Sequence, residues 1–221
     1  MLYWLPFVAA SGVPYPKTAV VKVNWRSLAG LLDGTPLPPR KQAAIERQAE
    51  AIGYPLFMRT DMVSGKHSWE MSCFVPSPDV LKGHIGAVVD ETFFCGLEPR
   101  AIVLRAFLEL DSSFTAFWGK MPISRERRYF VADGSVTCHH PYWPEDAIKN
   151  PSVPLWRQRL RLLNTETDEE VALLTQYAQQ LRMPLGAWSV DFACTKDGKW
   201  YLIDMAPAEA SWHPSHEAVP K

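Results

Sequence analysis

The sequence predicts an α+β fold with mainly antiparallel sheets, and three observations carry that expectation. Two hairpin signals, Asp133-Gly134 and Asp197-Gly198, each sit between runs rich in β-branched and aromatic residues; glycine tolerates the positive φ that such turns need. Helix-period stretches with recognisable ends cover Arg40 to Ile52 and Asp168 to Arg182. Strands follow one another through hairpins instead of alternating regularly with helices, which argues against a doubly wound sheet. The 221 residues suffice for one large domain or for two small lobes around a shared cleft.

The elements follow in order. Residues 1–10 and 19–25 read as short strands, the first of them apolar from Leu2 to Ala10 and expected to be buried. Arg26 to Leu32 suits a short helix, and Gly34 to Pro39 a linker, because proline interrupts both helix and ladder. Arg40 to Ile52 places Ala44, Ile45, Ala49 and Ile52 on one face and stops at Gly53. Pro55 to Thr60 reads as a strand, Asp61 to His67 as a polar loop, and Trp69 to Val75 as another strand. Ser77-Pro78 opens a helix to Thr92, with serine at the N-cap and proline in the first turn. Strands are expected over Ala101 to Leu110, Ser113 to Met121, Arg127 to Ala132 and Ser135 to His140. Val153 to Leu163 and Asp168 to Arg182 complete the helices, the second announced by Thr167 and Glu170 at capping-box spacing.

Composition removes several function classes. A net charge of −1 supplies no general basic field for nucleic acid or an anionic membrane. The opening apolar run is too short to span a bilayer, and no other segment approaches that length. Cys73, Cys95, Cys138 and Cys194 are widely spaced without a CxxC pair, which argues against a zinc site or a disulfide scaffold; they are expected to be reduced, in a cytoplasmic protein.

Asp191 and Asp204 are the pair that points most directly to chemistry. They flank the Asp197-Gly198 turn within the two strands of the last hairpin. If those two residues form the loop, Lys196 pairs with Lys199, and Asp191 then stands opposite Asp204 on the same face. Directly paired residues bring their Cβ atoms to about 4.5–5.5 Å, where like charges destabilise. Such a pair is kept if it shares a proton or binds a cation, and hard oxygen ligands suit Mg²⁺. The alternative is two solvated acids on an exposed face, and a one-residue slip in register separates them.

Cationic residues form a second set. Arg59 is a lone charge on an apolar strand, and Lys66 follows Ser64-Gly65, so backbone N–H groups and an ammonium could meet one phosphate; the alternatives are an edge arginine and a solvated loop lysine. In Arg125 to Val131, period-two alternation puts Glu126, Arg128 and Phe130 on one face and Arg127, Tyr129 and Val131 on the other. One of the two central arginines must then face inward and needs an anionic partner, either a nucleotide phosphate or an internal acid such as Glu109 or Asp111. His139, His140, His213 and His216 lack ligand companions at zinc spacing and read as surface or loop histidines, with His140 the one candidate for substrate contact. Arg157, Arg159 and Arg161 suit a solvated helix face; Trp143 and Trp156 could stack a base or pack.

Taken in order, these segments resemble the ATP-grasp superfamily over residues 12 to 207. Gly12-Val-Pro-Tyr-Pro-Lys-Thr18 resembles the way into that fold, and "YPLFMRTD" followed by "GKHSW" its nucleotide-binding strand and loop. "VLRAFLEL" resembles the hinge strand, and "VDF…DGKWYLIDMAP" the metal-binding hairpin. The Arg59 and Lys66 pair and "RERRYFVADG" are similar to a small clade in which arginine replaces the usual strand lysine. The resemblance implies two lobes with a nucleotide cleft between them: residues 1–39 as strands and linker preceding the grasp, 40–110 as the small nucleotide-binding lobe with the hinge, and 111–221 as the large lobe.

It further implies ATP and Mg²⁺ as cofactors and an ADP-forming ligase that joins a carboxylate to an amine through an acylphosphate, a peptide or protein being among the possible substrates. Arg59, Lys66 and Glu126 would bind the nucleotide, backbone near Phe107, Leu108 and Glu109 would meet adenine, Asp191 and Asp204 would hold Mg²⁺, and Arg128 would act on the transferring phosphoryl group. The family usually places asparagine two residues after the last acid; here that residue is Ala206. The strand with Glu126 and Arg128 also resembles that of the cell-division-cycle ATP-grasp chaperones, so a non-ligase Mg-ATP-binding protein, as an assembly chaperone or degenerate module, is the alternative.

Overall fold

Two antiparallel four-stranded sheets organise the chain in the computed structural model, which describes residues 1–183 and 186–214. Each sheet belongs to one of two units. The first contains residues 1–15, 109–115 and 122–221, and the second residues 16–108 and 116–121. The chain therefore passes from the second unit to the first between Leu108 and Glu109, two residues before the division expected at 110/111. The first 39 residues do not stand apart, since 1–15 group with the first unit and 16–39 with the second.

In the second unit, β1 (Thr18–Lys22) is followed by the short α2 (Trp25–Ala29), after α1 (Leu5–Ser11) of the first unit. Then come α3 (Pro39–Ile52), β2 (Leu56–Thr60), β3 (Phe74–Val75), α4 (Pro78–Phe94) and β4 (Ala101–Ala106). The sheet order is β1-β4-β2-β3. Ile45 and Ala49 of α3, Ile85 and Val88 of α4, and Leu56, Met58, Ile102 and Leu104 of the strands form one buried cluster. Burial of this kind contributes about 1.5–3 kcal/mol per large aliphatic side chain.

Several expectations are corrected here. Trp69 to Val75 is not one strand: a 3₁₀ helix covers Lys66–Met71, and only Phe74–Val75 pairs with β2. Gly65, at φ 63°, starts that helix, and the Ser72 hydroxyl donates to the carbonyls of Gly65 (2.8 Å) and Ser68 (3.0 Å), which winds the segment up. Ser77 occupies the N-cap position of α4 without a side-chain cap bond. Ser113 to Met121 divides into β5 (Ser112–Ala116) and β6 (Met121–Ser124), joined by a turn with Phe117 and Lys120 at φ 61° and 54°.

That turn lies against the 3₁₀ helix: Gly119 N–H donates to His67 O (3.1 Å), and Glu70 N–H donates to Gly119 O (3.1 Å). A Cβ at Gly119 would stand 2.3 Å from Trp69 N and 2.4 Å from Ser68 C, both backbone atoms. Gly119→Ala must push the turn off the helix, and the expected cost is about 1–3 kcal/mol, measurable by urea unfolding. An unchanged midpoint would show that the two segments separate freely.

The first unit carries β7 (Glu126–Ala132), β8 (Ser135–Pro141), α5 (Trp156–Asn164), α6 (Asp168–Gln180), β9 (Ala187–Cys194) and β10 (Trp200–Pro207), with sheet order β10-β9-β7-β8. Asp133 and Gly134, at φ 49° and 79°, make the expected β7–β8 turn. Thr167 accepts from Glu170 N at 3.2 Å, as a capping residue should, but the Glu170 carboxylate turns to Arg127 (2.5 Å). The expected strand over 1–10 is instead α1. Pro6 fits the first helical turn, Trp4 and Val8 bury one side, and Gly12 ends the helix at φ 80°. A short apolar run without a clear period does not distinguish strand from helix.

Candidate functional site

Asp191 does stand opposite Asp204 in the β9–β10 register, through two departures that cancel. The loop has three residues: Thr195 N–H donates to Lys199 O (2.8 Å) and Gly198 N–H to Thr195 O (2.8 Å), with Gly198 at φ 79°. Alone, this would place Ile203 opposite Asp191. A bulge between Leu202 and Asp204 restores the register, since a bulge sets two residues of one strand against one of the other.

The next strand extends the row. Arg128 of β7 is paired with Asp191 on one side and with His140 of β8 on the other. His140, Arg128, Asp191 and Asp204 thus cross four neighbouring strands on one face. Arg128 grips Asp191 with both arms, Nε to Oδ1 and Nη2 to Oδ2, each 2.8 Å. Its third nitrogen donates to Trp212 O (3.3 Å), and its guanidinium lies 4.6 Å from the Tyr142 ring centre. Burial disfavours its charge, but the hydrogen bonds and charge of Asp191 outweigh burial and raise its pKa. Asp204 accepts from Met205 N through Oδ1 (3.0 Å).

Glu126 lies on the same face two residues earlier and is buried; its Oε1 accepts from Ser124 Oγ (2.6 Å) and Trp143 Nε1 (3.1 Å). Arg127 points the other way and is fully buried. Its partners are Glu170 and Glu166, 2.5 and 3.3 Å from Nε, together with the carbonyls of Leu163, Thr165 and Glu126. The inward arginine is therefore answered by an internal acid, but not by Glu109 or Asp111. Those pair with Lys196 (3.5 Å) and Arg125 (3.4 Å).

In the second unit, Arg59 is 4% exposed on β2, so it is not an edge arginine; it donates to Thr60 O (3.1 Å) and Met62 O (3.4 Å). Lys66 opens the 3₁₀ helix, and the neighbouring His67 stacks on Phe117 at 4.3 Å. β4 ends at Ala106, so Phe107, Leu108 and Glu109 follow that strand. Phe107 packs on Phe74 (5.1 Å), and Glu109 O accepts from Lys196 N (2.9 Å) in the first unit.

The histidines correct the sequence reading. His140 and His213 are buried, and His139 stacks on Tyr129 and lies 3.2 Å from Glu166; His216 lies outside the described residues. His213 reaches the site face from the segment after β10. Its Nε2 is 3.3 Å from Cys138 Sγ, and its ring stands edge-on to Phe130 (5.1 Å) and His140 (5.3 Å). Burial raises the Cys138 thiol pKa, so it is not a ready nucleophile. All four cysteines are free. Trp143 and Trp156 pack in the interior, whereas Arg157 is exposed beside Glu145 (2.5 Å). The loops His139 to Asp146 and Glu209 to His216, where the sequence reading expects the substrate pocket, contain Tyr142, Trp212 and His213, but that reading does not single these three out as neighbours of Arg128 and His140. The Asp133-Gly134 turn alone would set Arg128 against His139; the bulge between Phe130 and Val131 moves the pairing to His140.

The model of the ATP-grasp domain, family 3 of its clade, matches residues 39–220. The chain belongs to that family. Its ATP-grasp fold is shared with C-terminally truncated Cdc123 from Schizosaccharomyces pombe, at 12% identity and a TM-score of 0.55 over 92% of this chain and 81% of that one. It is also shared with N5-carboxyaminoimidazole synthase from Aspergillus clavatus, solved with ADP and 5-aminoimidazole ribonucleotide (14% identity, TM-score 0.52, 92% of this chain). The N5-carboxyaminoimidazole synthetase of Staphylococcus aureus with ADP is a third (13%, 0.50, 91%). The chain spans 42% of the length of either synthase. No curated protein matches the sequence.

Proposed function

We propose that this ATP-grasp domain binds Mg-ATP and acts in an ADP-forming ligase that activates a carboxylate as its acylphosphate and passes the acyl group to an amine. The reading rests above all on the facing acids Asp191 and Asp204 beside the guanidinium of Arg128. The donor set fits one Mg²⁺. The protein offers two carboxylates, and Mg²⁺ usually takes one or two, with water and phosphate completing its shell. Among the described residues, no group of three or more His, Cys, Asp or Glu is placed to hold a metal. The clamp on Asp191 leaves room for this role, because each carboxylate oxygen has about two lone-pair directions. When bound, Mg²⁺ would draw charge from the phosphate oxygens.

The chain's own residues then divide the remaining tasks. Arg59 and Lys66 bind phosphate, and the backbone of Phe107 to Glu109 takes adenine. Glu126 fixes Trp143 and Ser124 beside the row while serving the nucleotide site. Arg128 stabilises the phosphoryl group in transfer; such catalysis is mostly positioning and charge neutralisation.

Two measurements test this. Mg-ATP at about 100 times its dissociation constant should stabilise the protein by about 2.7 kcal/mol, and a chelator should remove most of the shift. With a carboxylate carrying heavy oxygen, label should appear in inorganic phosphate only when ATP is present; ADP formation without label transfer rejects the acylphosphate. A second reading, a Mg-ATP-binding assembly chaperone or degenerate module, is favoured by Ala206, which lies on the site face opposite Ser189 and brings no side-chain donor. It predicts Mg-ATP binding that responds to a protein partner, with no label transfer for any carboxylate.

A further inference from the structure

His140 is the one member of the four-residue row that the reaction outlined above leaves unused. The residue is 8% exposed. Nδ1 lies 2.7 Å from Pro141 O, and a carbonyl oxygen only accepts, so Nδ1 must carry a proton. In the neutral ring Nε2 then holds the lone pair. That atom is buried and meets no hydrogen-bond partner among the described residues. A buried polar atom without a partner costs stability, and where it persists a ligand is a sufficient reason.

We propose that His140 is the base that takes the proton from the incoming amine, through Nε2. The assignment rests on the ligase reading and deepens it. Burial, and then the charge of Arg128 and contact with His213, keep the ring in its neutral form, against the opposing pull of the Pro141 hydrogen bond and of Asp191 one strand further on. An amine arrives as an ammonium ion with no lone pair to attack with. Transfer of one proton to Nε2 leaves a neutral nitrogen and an imidazolium. The nitrogen attacks the acyl carbon, and the carbon–oxygen bond to phosphate breaks with its electron pair on the phosphate. The second proton leaves with that phosphate as hydrogen phosphate, and the imidazolium returns its proton to solvent. The rings of Trp212 and His213 stand edge-on to the imidazole. Trp212, at 5.2 Å from His140, is 44% exposed, so the imidazole lies beside a residue that solvent reaches.

Hydroxylamine isolates the step, because at neutral pH it is already uncharged and traps acylphosphates without a base. His140→Asn keeps an amide N–H that can serve Pro141 O and deletes Nε2. It should form hydroxamate from carboxylate and ATP as wild type does, yet lose amide formation with an amine by about a hundredfold or more. Equal loss of both products, or loss of neither, overturns the role. A wild type that binds Mg-ATP but yields no hydroxamate with any carboxylate overturns the ligase reading and the base role together. Imidazole nitrogen NMR on the wild type is independent of turnover and of whether the variant folds. The Nδ1–H tautomer supports the assignment, and the Nε2–H tautomer sinks it whatever the protein ligates.

Discussion

Arg127→Ala is expected to destabilise the protein by about 3–5 kcal/mol, the usual penalty for removing one partner of a buried ion pair. The guanidinium has no exposure, and it serves three elements at once. It donates to Glu126 O of its own strand at 3.0 Å, to Leu163 O at 3.0 Å, and to Thr165 O at 2.8 Å. The last two belong to the end of α5, where carbonyls lack helical partners and a positive charge is favourable. Nε meets Glu170 in the first turn of α6. Truncation would strand the Glu170 carboxylate and the helix-end carbonyls together. Burial already raises the Glu170 pKa, and Arg127 is the main force pulling it back down. Without Arg127 it rises further. A carboxyl whose folded pKa exceeds its unfolded value contributes stability below the unfolded pKa and loses it as pH rises through the folded one. The deficit of the variant should therefore be larger at neutral pH than in acid, and urea unfolding at the two pH values checks both claims. A loss under about 1 kcal/mol would show that the network is energetically idle.

Arg128→Ala should act on chemistry instead. ADP formation is expected to fall at least about tenfold, equivalent to ~1.4 kcal/mol, while far-UV circular dichroism stays unchanged. The adjacent core of β7, Tyr129 and Phe130, is fully buried and untouched by the change. The variant also leaves Asp191 facing Asp204 without its bidentate partner, so added Mg²⁺ should stabilise it more than it stabilises wild type. Unchanged turnover would remove Arg128 from the phosphoryl site. A Mg²⁺ effect equal to that of wild type would argue that the two acids do not share the ion.

The neighbouring arginines show what the sequence could and could not convey. Period-two alternation places Arg127 and Arg128 on opposite faces and requires an anion for the inward one; both statements hold. Which anion was beyond reach, because Glu170 and Asp191 lie 43 and 63 residues away in the chain and come near only through tertiary packing. Helix ends at Gly53 and Thr167 and the Asp133-Gly134 turn were legible, since each is a local matter of backbone conformation. The apolar start of the chain and Trp69 to Val75 were not, because short aromatic and aliphatic runs suit either period. The segment after β10 was the least legible part of the site. Nothing in Ser211-Trp212-His213 announces that it folds back to touch Arg128 and His140.

The three-residue turn and the bulge at Ile203 have a consequence for length variation. A tighter Asp197-Gly198 turn on an unbulged strand would also set Asp191 against Asp204. Deletion of Ile203 should be accommodated: the three-residue loop still sets Thr195 against Lys199, the bulge is lost, and the acid that follows Leu202 still meets Asp191. Straightening the strand with Ile203 kept would instead set Ile203 against Asp191 and turn the second acid to the other face. Hairpins in this family that keep the facing acids are therefore expected to tolerate a length difference of one residue, taken up by the presence or absence of the bulge.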